Sequence, residues 1–544
     1  MLQFLQNISE FVEAIFTLEA RWFHYLLVLL PIWILYMAVV DAFFNKRNTI
    51  KRNFPVVGRL RYLLESIGPE LRQYIVANNR EELPFNRSQR AWIYASSKKE
   101  NNYEGFGTDK EIYASGHVFI NPALFPYRIE PGHINHKDPY FLPCAKVMGA
   151  GRRKRPYRPY SLVNISAMSF GALSRNAVIA LNKGAKMSGC YHSTGEGGLA
   201  PYHKNGADVM FHFGTGYFGV RDDKGNFSME RLVALTEANP FVRAIEVKIS
   251  QGAKPGKGGV LPASKITKEI ADIRGIPMGQ DVLSPAYHSA FSNIPEFLDF
   301  LEAIADRTGL PVGFKAAVGK LDMWEELADR MVATGTGPDF ISIDGGEGGT
   351  GAAPHSFADH VSLPFTFGFA SVYKIFLDRG LTDRIVFIAS GRLGFPAKSI
   401  MALAMGADLI HVAREAMLSI GCIQAQICHT NKCPAGVATQ NWWLERGLDP
   451  TLKSVRFFNY LKTLRKEILE ITHASGYEHP CQYTMHDIEM GMGDSRKTHT
   501  LFENYGYDRS PVAFQGMEHL LQCADLGGLG NHLLDVKKAL AQAK

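Results

Sequence analysis

Three of the chain's seven cysteines, Cys422, Cys428 and Cys433, stand within twelve residues in GCIQAQICHTNKCPAGVATQ (421–440). Thiols packed this closely bind metal, do redox chemistry or sit in a core. A structural zinc site takes four ligands and often uses paired C-x2-C knuckles, which the segment lacks, although His429 beside Cys428 is a candidate fourth ligand. A disulfide would consume two thiols and strand the third. A free-thiol core is the bland alternative. Three thiolates with Pro434 after the last suit an iron–sulfur cluster with one cysteine per iron, and three ligands match a three-iron cluster with no fourth corner to hold.

Further along the same line, small residues gather where an anion could sit. ASGRLG (389–394) closes one apolar run and GADLIHVAR (406–414) forms the next, so two successive strand ends offer backbone N–H groups to a phosphate. DGGEGGTGA (344–352) adds five glycines, fit for close approach of backbone to a cofactor or for a tight turn. GEGGTG (346–351) matches G-x-G-x-x-G, but AAPHSFADH follows it with Pro354 and opens no clear helix, so a dinucleotide site is not indicated.

The elements that must position these residues are legible as rhythm. From Leu162 onward, short apolar runs alternate with helical stretches ending in glycine. Strands are expected at 162–168, 244–250, 311–317, 339–345, 384–390 and 408–414, with weaker ones near 190 and 208. Helices are expected at 173–189, 229–239, 263–275, 294–309, 323–335 and 396–406. Strand then helix, repeated over about 260 residues, predicts an α/β (β/α)8 TIM barrel, with a doubly wound open sheet as the runner-up. The barrel is favoured because glycine-rich and charged residues recur at strand C-termini, where a barrel gathers its active-site loops.

The full chain of 544 residues is 46% apolar and 21% charged, close to the globular average, and its net charge of +6 does not imply nucleic acid. Residues 22–40 carry no formal charge and predict a single transmembrane helix, with Trp22 and Tyr25 at one end and Tyr36 at the other. A buried core helix is the soluble alternative, and a cleaved signal peptide lacks its basic start. Lys46, Arg47, Lys51, Arg52, Arg59 and Arg61 follow the span and only Arg21 precedes it, which puts the catalytic part in the cytoplasm at the inner membrane. Cys144, Cys190, Cys481 and Cys523 lie far apart and the cysteine total is odd, in keeping with a reducing compartment. A second basic cluster, Arg152, Arg153, Lys154, Arg155 and Arg158, reads as a solvated linker face or as a docking or lipid-headgroup patch. The expected divisions are a membrane anchor and basic segment at 1–61, an extension at 62–154, the barrel with its cysteine segment at 155–440, and a C-terminal extension at 441–544.

Taken in order, ISAMSFGALS (165–174), STGEGG (193–198), VKISQGAKPGKGG (247–259), LPASKITKEIADIR (261–274), DGGEGGTGA, ASGRLG and the cysteine segment resemble the flavin-binding synthase domain of glutamate synthases. The resemblance, over roughly residues 155 to 440, implies an FMN-binding barrel with a [3Fe–4S] cluster on Cys422, Cys428 and Cys433. It also implies an oxidoreductase acting on a CH–NH2 bond: ammonia condenses with 2-oxoglutarate and reduced FMN delivers hydride to the imine. Lys254 and Arg274 match the positions that hold the 2-oxo acid; otherwise Lys254 is a surface charge and Arg274 a cation on a helix dipole. Glu196 matches a group for proton transfer or for holding the amine, and Gln251 a hydrogen-bonding partner of flavin or substrate. Lys315 is the candidate for the negative charge of reduced flavin, with Lys248 as competitor. Ala167, Met168 and Ser169, with Gly348 and Gly349, are expected beside the flavin, and Gly391, Arg392, Ala413 and Arg414 near its phosphate.

Departures from the family pattern also matter. Val260 stands where glutamine is usual and Leu199 replaces an acidic residue, so the acid is 2-oxoglutarate or a related 2-oxo acid. The amidotransferase domain and C-terminal β-helix of those enzymes have no counterpart in this sequence. Ammonia is therefore expected from solution or a separate glutaminase subunit, and electrons from a ferredoxin, an NAD(P)H-oxidising flavoprotein or a quinone-linked membrane partner. The alternatives are an FMN-dependent amino or hydroxy acid dehydrogenase passing electrons outward, and a non-catalytic electron-transfer subunit.

Overall fold

The computed structural model describes residues 7, 25–44, 49–131, 133, 135, 141–493 and 496–522. Arg21, Trp22, His24, Lys46, Arg47, Cys523 and the glycine-rich stretch 527–532 lie outside the described residues. The chain divides into two compact units, Met1–Arg90 and Ala91–Lys544.

In the first unit, a helix over Tyr25–Phe44 has a mean hydropathy of 2.3 over its most apolar window and is almost wholly exposed. Its 20 residues rise about 30 Å, the thickness of a bilayer's hydrocarbon core. By length and composition it is able to cross a membrane. The sequence predicts a short helical segment over 56–78, and a second helix spans Val57–Leu71.

The second unit is built on a closed, all-parallel barrel of eight strands. These are β1 (Val163–Ile165), β2 (His192–Ser193), β3 (Val209–Phe213), β4 (Val242–Lys248), β5 (Val312–Ala317), β6 (Phe340–Asp344), β7 (Val386–Ser390) and β8 (Leu409–Val412). Each strand pairs with its successor in the chain and β8 closes on β1. Nearly every strand residue is buried, which is why the strands read as continuous apolar runs rather than as alternation. The two weak runs near 190 and 208 are the second and third strands, so the barrel is complete with the eight expected positions.

The covering helices are α1 (Arg175–Ser188), α2 (Met229–Ala238), α3 (Lys268–Arg274), α4 (Ile294–Thr308), α5 (Asp322–Thr334), α6 (Phe365–Asp378), α7 (Pro396–Ala404) and α8 (Arg414–Ser419). Side-chain caps from Ser174, Thr267 and Asn293 start α1, α3 and α4, and Gly189 and Gly309 end α1 and α4 in the left-handed region. α6 is absent from the expected elements because its sequence, FTFGFASVYKIFLD, is mostly apolar: Phe367 sits on its exposed side, and only Ser371, Lys374 and Asp378 mark that side as polar. A six-residue helix, His355–His360, also follows the glycine loop, though it starts beyond Pro354 rather than from the glycines. A 25-residue helix, Pro450–Ala474, lies along α1, where Arg465 donates to Ser188 O at 2.8 Å.

Three cations of the second basic cluster, Arg152, Arg153 and Arg158, are taken up by protein partners rather than by a linker face or docking patch, whereas Lys154 and Arg155 are exposed. Cys144, Met148 and Tyr157 plug the floor of the barrel against Met210, Phe340 and Leu409. Arg153 Nε donates to Asp339 Oδ2 at 2.8 Å and its Nη2 to Glu302 Oε1 at 3.0 Å, while Asp339 Oδ2 also accepts Val312 N at 2.9 Å. Arg158 is buried and donates to Cys144 O and Ala145 O. Burial raises the Asp339 carboxyl above its usual range in spite of Arg153. Arg153→Ala, which takes the closest cation from this carboxylate and Glu302 and leaves Arg152 beside both, is expected to lower stability by about 2–4 kcal/mol, whereas Lys154→Ala stays within about 0.5 kcal/mol. Denaturant unfolding of the solubilised protein distinguishes the two.

Candidate active site

Strand register places the first charges. Within β4, Glu246 and Lys248 are two residues apart and share a face; Glu246 is in register with His212 of β3, and Lys248 with Lys315 of β5. In the barrel interior His212 Nδ1 lies 2.6 Å from Glu246 Oε2, and Ser342 of β6 donates to the other oxygen. Burial disfavours the charged Glu246, but the His212 bond and charge, then His411 and Lys315, outweigh it and pull the carboxyl down to about 2. His411 is held down to about 4 by burial, so it is neutral where it meets Tyr191 OH at 2.7 Å.

One layer higher, Lys248 and Lys315 each take a separate carboxylate. Lys248 Nζ donates to Glu196 Oε1 at 2.8 Å, and Lys315 Nζ lies 3.4 Å from Asp344 Oδ2. Glu196 comes from the loop after β2, which can fold back because Gly195 has φ +64° and a Cβ there would stand 2.5 Å from Ser169 N. Burial works against an ionised Glu196, but Lys248, then His212 and Lys254, bring it down to about 2. It is therefore a carboxylate, not an acid, at neutral pH. Behind the pair, His288 is buried, with Nε2 2.8 Å from Lys248 O and Nδ1 3.0 Å from Tyr217 OH. His288 was missed in the sequence because it sits in the irregular stretch 284–293, which has no periodicity or motif.

The remaining expected side chains surround this pair. A cleft is lined by Glu196, Lys248, Gln251, Lys257, Gly259 and Ala286. Gln251 Nε2 is buried there without a hydrogen-bond partner among the described residues. Lys254 is buried, donates to Ala352 O at 2.8 Å, and is brought down to about 8 by burial and the charge of Lys248, with Glu196 opposing. Arg274 is buried as well, so neither of the two is a surface charge. Its Nη2 donates to Phe170 O at 3.0 Å and Ser169 Oγ at 3.3 Å, the guanidinium lies 5.3 Å over the Phe218 ring, and Nε has no partner among the described residues.

At the ends of β6, β7 and β8 the expected anion-site residues come together. Asp344 Oδ2 accepts Gly252 N at 2.9 Å, Gly348 packs on Asp344, and Arg414 donates to Glu347 O while crossing Gly349. Gly391 is buried at the end of β7, Arg392 has φ 56°, and Ala413 precedes α8. Lys398, in the first turn of α7, joins Arg392 there, and its pKa is lowered by burial and by that guanidinium. Lys398 was missed because it reads as an ordinary polar position on a helix. Ala167, Met168 and Ser169 follow β1, with Ala167 half-buried and the other two buried.

The cysteine segment is strapped to that same β1 loop. Gln440 Nε2 donates to Leu173 O at 2.8 Å, and Lys265 Nζ donates to Ala172 O at 2.8 Å and Cys428 O at 3.2 Å. Burial raises the Cys428 thiol and neighbouring Cys433 adds to this, with Lys265 opposing. Cys422 is half-buried and its Sγ accepts Gln424 N at 3.4 Å. Among the described residues, no three or more His, Cys, Asp or Glu side chains are placed as a metal-holding group, His429 included. Glu196→Gln leaves the Lys248 ammonium partly buried and unpaired, and is expected to cost about 3 kcal/mol of stability at pH 7, most of it recovered by adding Lys248→Met. Thermal unfolding of the single and double variants reads this out.

Comparison with known proteins bears on the same residues. A family model described as a conserved region in glutamate synthase matches residues 145–478. The glutamate synthase large subunit-like protein YerD of Bacillus subtilis is 38% identical over 475 residues, covering 82% of this chain and 90% of that protein. The archaeal-type glutamate synthase [NADPH] of Thermotoga maritima is 36% identical over 317 residues, 58% of this chain and 59% of that protein. The glutamate synthase [NADPH] large chain of Bacillus subtilis is 32% identical over 326 residues, only 20% of its length. Against solved structures, a mandelate oxidase with benzoyl-formic acid gives a TM-score of 0.40 and 14% identity over 76% of this chain and 97% of that one. The matched region takes in the whole barrel, its mouth and the cysteine segment, and the chain belongs to the glutamate synthase family of oxidoreductases.

Proposed function

We propose that the chain catalyses reductive amination of 2-oxoglutarate or a related 2-oxo acid, with FMN and an iron–sulfur cluster as its cofactors. The observation that carries this reading is a cleft lined by an ionised Glu196 and by Gln251, whose Nε2 is unpartnered among the described residues, with two buried cations, Lys254 and Arg274, whose charges act on Glu196. Two fixed cations suit two carboxylates, and buried donors without partners suit a ligand that supplies acceptors. FMN would be held with its ring beside Lys315 and the backbone at Ala167, Met168, Ser169, Gly348 and Gly349, and with Gln251 at its edge. Its phosphate would lie by Gly391, Arg392, Ala413 and Arg414, joined by Lys398; what supports this is the gathering of Arg392, Lys398 and Arg414 at the ends of successive strands. When bound, FMN supplies the hydride that reduces the imine carbon.

The chain's own residues do the rest. Lys254 and Arg274 hold the acid so that its keto carbon cannot rotate away. Glu196, as a carboxylate, accepts N–H from the ammonium or imine nitrogen and favours the protonated, more electrophilic imine. Lys248 keeps Glu196 ionised and oriented. Val260, in the Val260–Leu261 strand that pairs antiparallel with Val282–Leu283, adds an apolar wall beside Gly259, which fits the breadth left in the choice of acid.

Cys422, Cys428 and Cys433 are the proposed cluster ligands; what supports them is three thiols in one segment, two beside the cationic Lys265, held against the β1 loop. Electrons then come from a ferredoxin or an NAD(P)H-oxidising flavoprotein, and ammonia from solution or a separate glutaminase subunit. We read Tyr25–Phe44 as a single-pass anchor in the inner membrane with the barrel in the cytoplasm. That helix favours a second reading, an amino or hydroxy acid dehydrogenase feeding a membrane electron carrier.

Anaerobic absorbance and EPR of the detergent-solubilised chain, followed by titration of the reduced protein with 2-oxoglutarate and ammonia, test the proposal. Flavin reoxidation with glutamate formed is expected; reduction of oxidised flavin by an amino or hydroxy acid, with no response to the keto acid, would establish the second reading. Because Lys254 titrates at about 8, it is cationic below that pH and loses its charge above it. kcat/KM for the acid is therefore expected to fall above that pH by about tenfold per unit. Lys254→Ala should lower kcat/KM by about 10–100-fold, remove that limb, and leave flavin content unchanged.

A further inference from the structure

We propose that the Val57–Leu71 helix and the turn after it lie flat in the cytoplasmic headgroup layer as a second, in-plane membrane anchor. Their apolar face would sit in the acyl boundary and their arginines on anionic lipid phosphates. The proposal rests on the reading of Tyr25–Phe44 as a membrane span.

The helix is placed by one buried ion pair within the first unit. Asp41, wholly buried in the last turns of the apolar helix, accepts Arg59 Nε at 2.7 Å, Arg59 Nη2 at 2.8 Å and Val56 N at 3.2 Å. The second helix therefore starts at the level where the spanning helix ends, the water–lipid boundary. Among the described residues of this unit, Gly58, set against Ile50, is its sole buried residue, and Lys51 lies over the Tyr62 ring; apart from these contacts of its first turns the helix is largely exposed. A 15-residue helix with so little packing is marginal in water and needs a surface.

The sequence of the helix says which surface. At about 100° per residue, Val57, Leu60, Leu63, Leu64, Ile67 and Leu71 fall in one arc of about 120°, and all are exposed, Val57 at 71% and Leu64 at 51%. Tyr74 and Ile75 continue the arc through the next turn. Arg61 and Arg72, both exposed, border it on one side, as cations border the buried face of interfacial helices. Val57, Leu60, Leu64, Ile67 and Leu71 alone would also fit a seam between two copies, with alternating steps of three and four. Leu63 widens the face beyond such a seam, and Pro69 interrupts the helix within it.

The test uses the full chain in nanodiscs of phosphatidylcholine with a minority of phosphatidylglycerol. A diazirine-bearing amino acid is placed at Leu64 or Ile67, and at Tyr62 or Ser66 on the opposite face. Roughly tenfold more lipid adduct from the first two positions is expected of an in-plane helix, with part of it lost in Arg61→Glu/Arg72→Glu only when phosphatidylglycerol is present. Adducts joining two copies, adducts to another segment of the same chain, or equal labelling of both faces would each overturn the proposal. Carbonate extraction of native membranes separates the two levels. Release of the wild-type chain would remove the span and the proposal together, whereas retention without lipid adducts at Leu64 would remove the in-plane placement alone.

Discussion

Charge pairing at the barrel mouth is the constraint on which the site depends. A closed parallel barrel sets Lys248 and Lys315 side by side in register, on strands about 4.8 Å apart. Two ammonium groups that close cannot be buried without separate counter-charges. Glu196 takes one and Asp344 the other, and they arrive from different parts of the chain. Fixing Glu196 folds the loop after β2 over the mouth, while Asp344 also accepts Gly252 N and so sets the loop that carries Gln251 and Lys254. The pairs thus hold the loops as much as the loops hold the pairs.

That arrangement has chemical consequences. Cations crowd the cleft, so burial and Lys248 together weaken the hold of Lys254 on its proton, while the same cations keep Glu196 ionised. The site therefore sets a carboxylate held ionised at Glu196 beside Lys254, a cation near its titration point. Below the mouth, the Glu246–His212–Ser342 set extends the polar interior, so Lys315 rests on a charged layer rather than on an apolar core.

Integration continues outside the barrel. The cysteine segment is fastened to the β1 loop through Gln440 and Lys265, bringing the thiols of a distant stretch to the neighbourhood of Ser169 and Arg274. The floor is closed by Arg153 between Glu302 and Asp339. The chain spans about three fifths of the archaeal-type synthases it resembles, and nine tenths of YerD.

The sequence by itself determined the barrel, because strands buried on both faces must be apolar throughout and the helices between them carry caps and glycine stops that local chemistry dictates. It also determined the membrane-length helix, the glycine loops and the candidate residues in separated motifs. α6 was hidden because its exposed side is narrow and includes the apolar Phe367, which blurs the helical period. The role of Arg152, Arg153 and Arg158 was hidden because a run of cations looks the same facing water as facing carboxylates from distant residues. His288 and Lys398 carry no signal beyond their residue type. Which charges pair is a matter of strand register and loop folding, contacts between residues tens to hundreds of positions apart. Only the tertiary structure decided that Glu196 is held as a carboxylate, that Lys254 and Arg274 are buried beside it, and that Lys265 lies beside Cys428 and Cys433, because burial and proximity, which shift a proton or a charge, do not exist until the barrel closes.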